Sequence, residues 1–309
     1  MQIPLSPRNP RLVCLGLSAF DVTWTVEQLP RGGDKVRALD LRMGGGGMAA
    51  NAAVAASRLG AIVQFWGRAG DDSAGRSMRE ELAGQAVNVS YFRLFPQARS
   101  SVSGIMVDAQ GERMIVNFRG ADLPSDAKWL PLSAVAECDA VLADPRWSEG
   151  ALALFRAARE YGVPTVLDAD VAEDAVFDGL LPYTDYAVFS EPGLAGYAAR
   201  AASAEDRLRF ARERGCVVAA VTLGERGVVW DDGRTVFRLA ALPVHAVDTT
   251  GAGDVFHGAL AFALGARMQV RDAFRFSAAV AALKCTTPGG RAGAPDLATA
   301  MSFLHDFEE

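Results

Sequence analysis

The chain has 309 residues, half of them hydrophobic, enough to bury the core of one large α/β domain. Its formal net charge of −6 runs against a nucleic-acid partner, which calls for a basic face. No uninterrupted apolar run reaches the roughly 18 residues of a membrane span, and residues 1–11 lack the apolar core of a secretory leader, so a cytoplasmic, membrane-free protein is expected.

Along the chain, short apolar runs alternate with helical patterns. Residues 11–17, 62–67, 140–143, 165–168, 186–189 and 217–222 read as buried strands; 51–59, 74–83, 150–161 and 203–214 read as intervening helices. This alternation predicts an α/β fold with a mostly parallel sheet covered on both faces. Two places break it. Residues 20–29 with 35–43, and 101–108 with 113–119, form strand pairs without a helix between them, and Gln110-Gly111 suits a hairpin turn in the second. There is no internal repeat and no long low-complexity linker. The four cysteines, Cys14, Cys138, Cys216 and Cys285, are far apart, which fits free thiols in a reducing compartment. No His/Cys cluster has metal-site spacing.

The most telling segment is Asp248-Thr249-Thr250-Gly251-Ala252-Gly253-Asp254, which follows the run 242–247 and opens a helical pattern over 255–264. Glycines at 251 and 253 allow a tight turn and close approach of a ligand to the backbone. The first N–H groups of the helix lack intrahelical partners and lie at the positive end of its dipole, a ready anion site. Asp254 falls in that first turn, where the helix field favours the carboxylate. One short segment thus offers donors for a phosphoryl group (Gly251, Ala252, Gly253) and an acceptor for an alcohol proton (Asp254). As a bare glycine motif it reads equally well as a loop with a helix-start charge.

A second glycine-rich segment, Gly44-Gly45-Gly46-Gly47-Met48-Ala49-Ala50-Asn51, lies near the N-terminus. Gly67-Arg68-Ala69-Gly70-Asp71-Asp72, Gly111-Glu112-Arg113 and Val221-Thr222-Leu223-Gly224-Glu225-Arg226-Gly227 come between the two. With these elements in this order over nearly the whole chain, the sequence resembles the ribokinase/PfkB family of carbohydrate kinases. The resemblance implies a single ribokinase-like domain over 1–309, a three-layer α/β/α sandwich with a small β-sheet lid. The lid, at about 20–43 and 99–120, would cover the sugar, and a homodimer would form through its strands, because exposed edges seek partners.

The resemblance also implies a sugar site. It places a hydroxyl-binding carboxylate at Asp21, backbone approach at Gly46 and Gly47, and a donor–acceptor amide at Asn51. Three further groups exceed what a neutral sugar needs: Arg146 after the strand 140–143, Asn117 in a lid strand, and Lys35 opening the other lid pair. A guanidinium, an amide and an ammonium together can hold a sulfonate or phosphate. The strings Ala143-Asp144-Pro145-Arg146-Trp147, Phe189-Ser190-Glu191-Pro192-Gly193-Leu194-Ala195 and Ala281-Ala282-Leu283-Lys284-Cys285-Thr286-Thr287-Pro288-Gly289-Gly290-Arg291-Ala292-Gly293 are similar to one branch of the family, the bacterial kinases of 6-deoxy-6-sulfofructose. That branch implies phosphorylation at O1, with Lys35, Asn117 and Arg146 serving the sulfonate.

On the nucleotide side, Thr222, Gly224 and Gly227 match the family's strand–turn at the ATP site, and Ala252 and Gly253 complete the phosphate cradle. Magnesium is expected with the transferring phosphates. Its ligands stay unassigned, because Ser190-Glu191-Pro192-Gly193 stands where many members carry Asn-x-x-Glu; Glu191, Asp168 and Asp170 are the carboxylates at hand. Asp248 and Thr250 resemble the family's potassium loop, and equally suit capping and turn formation. His257, one turn past Asp254, reads as a packed helix residue. Kinases of fructose, ribose, 2-keto-3-deoxygluconate or a phosphorylated ketohexose stay open, as does a non-catalytic sugar or nucleotide sensor. A nicotinamide-dependent dehydrogenase is disfavoured, since Gly16-Leu17-Ser18-Ala19-Phe20-Asp21 supplies one glycine of the required three.

Overall fold

Apolar runs a few residues long, bounded by turns, form the central sheet. The computed structural model describes residues 8–33 and 35–307, so most of the stretch read for a leader lies outside it. In Arg11–Gly16 (β1), Leu12 and Cys14 enter one hydrophobic cluster while Val13 and Leu15 enter another. Because side chains alternate along a strand, those two clusters must lie on opposite faces of one sheet, which makes three layers.

Strand β1 pairs in parallel with Ile62–Gly70 (β4) and Ala140–Ala143 (β8). Outward from β4 comes Asn88–Phe95 (β5); outward from β8 come Thr165–Ala169 (β9), Tyr186–Ser190 (β10) and Val218–Thr222 (β11), all parallel. The antiparallel strands Val228–Asp231 (β12) and Val236–Leu239 (β13) complete this edge, giving nine strands among the described residues. The six predicted strands are all present. Residues 88–95, 228–231 and 236–239 add three that were not expected. The first and last of these lie at the two edges, where mixed exposure blurs the apolar signal.

A separate four-stranded sheet holds Ala19–Thr25 (β2), Asp40–Gly46 (β3), Val102–Val107 (β6) and Arg113–Phe118 (β7), in the order β3-β2-β6-β7. Strands β2 and β6 are parallel and the outer pairs antiparallel. The predicted hairpin turn is present: the Gly111 N–H bonds to the Asp108 carbonyl, with Gly111 at φ +81°. Strand β3 runs past the expected 43 to Gly46, into the glycine-rich segment.

Of the helices, Met48–Arg58 (α1) and Ala252–Gly265 (α7) place the site, and both are buried over most of their length. Alanine-rich α1 meets Gly258 of α7, where a Cβ would fall 2.9 Å from the Ala52 Cα. Only small residues permit that approach, and it brings the starts of both helices together. Ser73–Gly84 (α2), Ser148–Tyr161 (α3), Asp174–Leu180 (α4), Glu191–Tyr197 (α5), Ala204–Arg212 (α6), Val270–Cys285 (α8) and Leu297–Asp306 (α9) complete the layers. No helix among the described residues is long and apolar enough to cross a membrane.

Candidate active site

Gly251 caps α7 in the left-handed conformation, φ +73°, and the first helical bond runs from the Val255 N–H to the Gly251 carbonyl at 2.9 Å. The Ala252 N–H is turned back onto the Thr249 carbonyl at 3.2 Å, so this member of the expected cradle is already engaged. Gly253 faces open space, with no atom within 4 Å of where a Cβ would stand. The donors that remain at this helix start are therefore the N–H groups of Gly251, Gly253 and Asp254.

Asp254 Oδ2 accepts a 2.7 Å hydrogen bond from Asn51 Nδ2, the direct product of the α1–α7 contact. Asn51, expected on the sugar, has its amide nitrogen on the carboxyl of Asp254, which it orients. The helix-start field was expected to favour the carboxylate, yet desolvation by the surrounding protein raises its pKa to about 7. The Asp168 charge pushes the same way, while Asn51 and His257 oppose it. Asp168 itself is 3% exposed, and burial holds it well above the ordinary carboxylate range, helped by Asp144 and Asp170.

His257 packs beneath this cluster, as expected of a buried helix residue. Its Nδ1 lies 2.6 Å from the Gly253 carbonyl and 3.3 Å from Asp168 Oδ2, and its Nε2 lies 3.0 Å from the Val188 carbonyl. Burial lowers its proton affinity; the Val188 carbonyl and the Asp254 charge act the other way.

In the small sheet, register brings Gly44, Asp21, Ser103 and Asn117 into one row across β3, β2, β6 and β7. Asn117 Nδ2 donates to Ser103 Oγ at 3.1 Å, and Ser103 hydrogen-bonds to the Asp21 carboxylate. Asp21 and Asn117 are thus linked on one face. Gly46 lies against the Asp21 carboxylate, where a side chain would collide with it. Gly47, at φ +96°, presses on the backbone of 17–19, so its glycine serves the turn into α1. Behind this row Glu81 accepts the Gly45 N–H and pairs with buried Arg291 at 2.8 Å.

Arg146 does follow β8, but its guanidinium is engaged. Nη2 donates to Asp170 Oδ2 at 2.8 Å and Nη1 to the Val171 carbonyl at 2.6 Å. Lys35 lies exposed on the loop between β2 and β3. Among the described residues no direct contact joins Lys35, Asn117 and Arg146. Asp144, which sequence reasoning passed over, is fully buried. It accepts the N–H groups of Leu17 at 2.7 Å, Ala49 at 3.1 Å and Arg146 at 2.9 Å, fixing the end of β1 to the start of α1.

At the end of β11, Thr222 Oγ1 donates a long 3.4 Å bond to the Phe189 carbonyl, and Gly224 at φ +58° opens a short turn with free space around it. Gly227 abuts the backbone of 239–241, which marks a packing role. Ser190 caps α5 and donates to Asp170 Oδ1 at 2.9 Å; Glu191 is paired with Arg226. No group of three or more His, Cys, Asp or Glu among the described residues can hold a metal directly. Magnesium would enter with the phosphates and their water, and none of Asp168, Asp170 and Glu191 is assigned to it. For potassium the fit fails: the Lys284 ammonium sits on the Asp248 carbonyl at 2.6 Å.

A mostly parallel sheet covered on both faces, with a buried carboxyl beside a glycine-capped helix start, is an arrangement suited to phosphoryl transfer in an α/β enzyme. Residues 9–297 match the model of the pfkB family carbohydrate kinases, so the chain belongs to that family and is a sugar kinase that phosphorylates a hydroxyl. It is 28% identical to a ribokinase of Bacillus subtilis over 92% of this chain and 96% of the relative. A crystal structure of a candidate ribokinase from Agrobacterium tumefaciens superposes with a TM-score of 0.92 at 36% identity, covering 98% of this chain and 100% of the other. The Arabidopsis thaliana ribokinase solved with ribose and ATP gives 0.86 at 26% identity, covering 96% and 99%.

Proposed function

We propose that this sugar kinase transfers the γ-phosphoryl group of ATP to an anionic ketohexose, 6-deoxy-6-sulfofructose at O1, with Asp254 as general base. The observation that carries the reading is the Asp254 carboxyl, held by Asn51 beside the open backbone at Gly253, where burial raises its proton affinity. A base with that affinity accepts a hydroxyl proton at neutral pH and releases it after turnover. The hydroxyl oxygen bonds to the γ-phosphorus, the bond to the bridging oxygen of ADP breaks, and the proton passes to Asp254. The N–H groups at Gly253 and Asp254 face the charge developing on the phosphoryl oxygens. Asp21 and Asn117 hold the sugar beneath the small sheet, which acts as a lid that excludes water. Thr222 and Gly224 border the adenosine end, and magnesium arrives with the nucleotide.

Arg146 supports the anionic substrate by its place at the carboxyl end of β8, where ligands meet open α/β sheets. Substrate binding would draw its guanidinium from Asp170 to the sulfonate, with Lys35 approaching from its exposed loop. The Arg146–Asp170 pair also favours a second reading: with its charge already balanced, the pocket suits a neutral sugar such as ribose. A coupled ADP-release assay over sulfofructose, fructose, ribose, 2-keto-3-deoxygluconate and fructose 6-phosphate decides between them. The first reading requires the highest kcat/KM on sulfofructose; preference for ribose or fructose overturns it.

A further inference from the structure

In the loop before α7 a carbonyl and a carboxylate oxygen of Asp248 face a cation, and that cation is a side chain of this chain. Lys284, in the last turn of α8, has a fully buried side chain at the end of an apolar stretch. A buried ammonium is costly unless paired. Its Nζ donates to the Asp248 carbonyl at 2.6 Å and lies 3.9 Å from Asp248 Oδ1. The same carboxylate accepts the N–H of Thr250 at 2.8 Å and of Gly289 at 2.9 Å. The N–H groups of Val247 and Asp248 are bonded to the Cys285 carbonyl, at 2.7 and 3.1 Å. From the other side Arg113 of β7 reaches in, donating to Thr250 Oγ1 at 2.6 Å and Thr249 Oγ1 at 3.0 Å, with Nη2 3.7 Å from Asp248 Oδ1.

We propose that the Lys284 ammonium is a tethered replacement for potassium, so that this chain assembles its phosphate-binding loop without a free monovalent cation. The inference rests on the kinase reading of the same site. An ammonium and a potassium ion both seek a carbonyl and a carboxylate, and two cations cannot share one carbonyl without repulsion. The tethered cation loses little freedom on binding, so it holds the loop at any salt composition. Fixing the Asp248 carbonyl fixes Thr249, whose carbonyl binds the Ala252 N–H, and hence the start of α7.

The test compares chloride salts of potassium, sodium and tetramethylammonium at constant ionic strength. Wild-type turnover is expected to agree within about twofold in all three. Lys284→Met is expected to lose about tenfold or more in tetramethylammonium and to recover in potassium. Activation of the wild type by potassium of about fivefold or more overturns the proposal, as does a folded Lys284→Met that no cation restores. Thermal melting of the substrate-free protein gives a second readout, independent of any sugar being turned over. Potassium should stabilise Lys284→Met over tetramethylammonium and leave the wild type unmoved; a potassium-specific shift in the wild type overturns the inference even if the variant fails to fold. Absence of turnover on every sugar with those melting results intact would count against the kinase reading alone.

Discussion

Asn51 Nδ2 and Asp254 Oδ2 lie 2.7 Å apart although 203 positions separate the two residues, so one hydrogen bond ties the start of α1 to the start of α7. The bond stabilises the carboxylate and opposes the burial that lifts its pKa. In Asn51→Ala, the Asp254 pKa should therefore rise above about 7. Turnover at pH 7 is expected to fall about tenfold, in line with a hydrogen bond to a charged group, and to recover in part at higher pH. A pH–rate profile checks this; an unmoved acid limb would detach Asn51 from the base.

Asp254→Asn should lose about a hundred- to ten-thousandfold in kcat. Its stability should show a distinctive pH dependence. The folded protein holds the Asp254 proton up to about 7, whereas the unfolded chain releases it near the ordinary value of 3.8. Wild-type stability therefore declines as pH rises through that window. The amide carries no such penalty, so the variant should melt above the wild type at pH 8 and converge with it toward pH 4. Equal melting temperatures at both pH values would mean the carboxyl is not desolvated as described.

Asp168→Asn should move the acid limb of the wild-type profile to lower pH. Asp168 is the second contributor to the raised Asp254 pKa, after burial, and removing its charge eases ionisation of the base. Two buried carboxyls this close titrate together, so the shift is read from the whole profile. A limb that moves to higher pH would mean Asp168 acts chiefly through His257, 3.3 Å away.

These relationships were legible in the sequence to different depths. The strands and the Gly251–Asp254 turn announce themselves, because apolar runs and glycine spacing are local signals. Ser103 carries no such signal; it matters only because register sets it between Asp21 and Asn117. Asp144 was passed over and Asp168 was read only as a carboxylate at hand for magnesium; the effect of both on Asp254 comes from burial that no local pattern reveals. Burial also reversed the expectation for Asp254, since desolvation outweighs the helix field. Lys284 stood unmarked inside the string 281–293; its role comes from the buried contact with Asp248, which no local pattern reveals.

The small sheet leaves Leu41, Met43, Ile115 and Val116 exposed, Val116 at 69%, with Leu39 exposed just before it. Apolar groups gathered on the outer strands of one sheet favour contact with a second copy of the chain. Light scattering is expected to show a dimer, and Val116→Glu to give a monomer of near-normal melting temperature, since the side chain is not part of the core. A wild type that stays monomeric at high micromolar concentration would leave the lid without that role.

Arg146 offers the sharpest division between an anionic and a neutral substrate. Its guanidinium lies on Asp170 and the Val171 carbonyl, so it is either a structural brace or a binding group parked on a temporary partner. Arg146→Ala alone does not separate these, because losing a brace also costs activity. Asp170→Asn does: it leaves the guanidinium in place and removes its competitor. If Arg146 binds the sulfonate, Arg146→Ala should raise KM for sulfofructose about ten- to a hundredfold, the scale of a charge-assisted pair, while neutral sugars are unaffected. Asp170→Asn should then keep or lower that KM. Similar losses in both variants, on charged and neutral sugars alike, would make the pair a brace and turn the specificity toward neutral sugars.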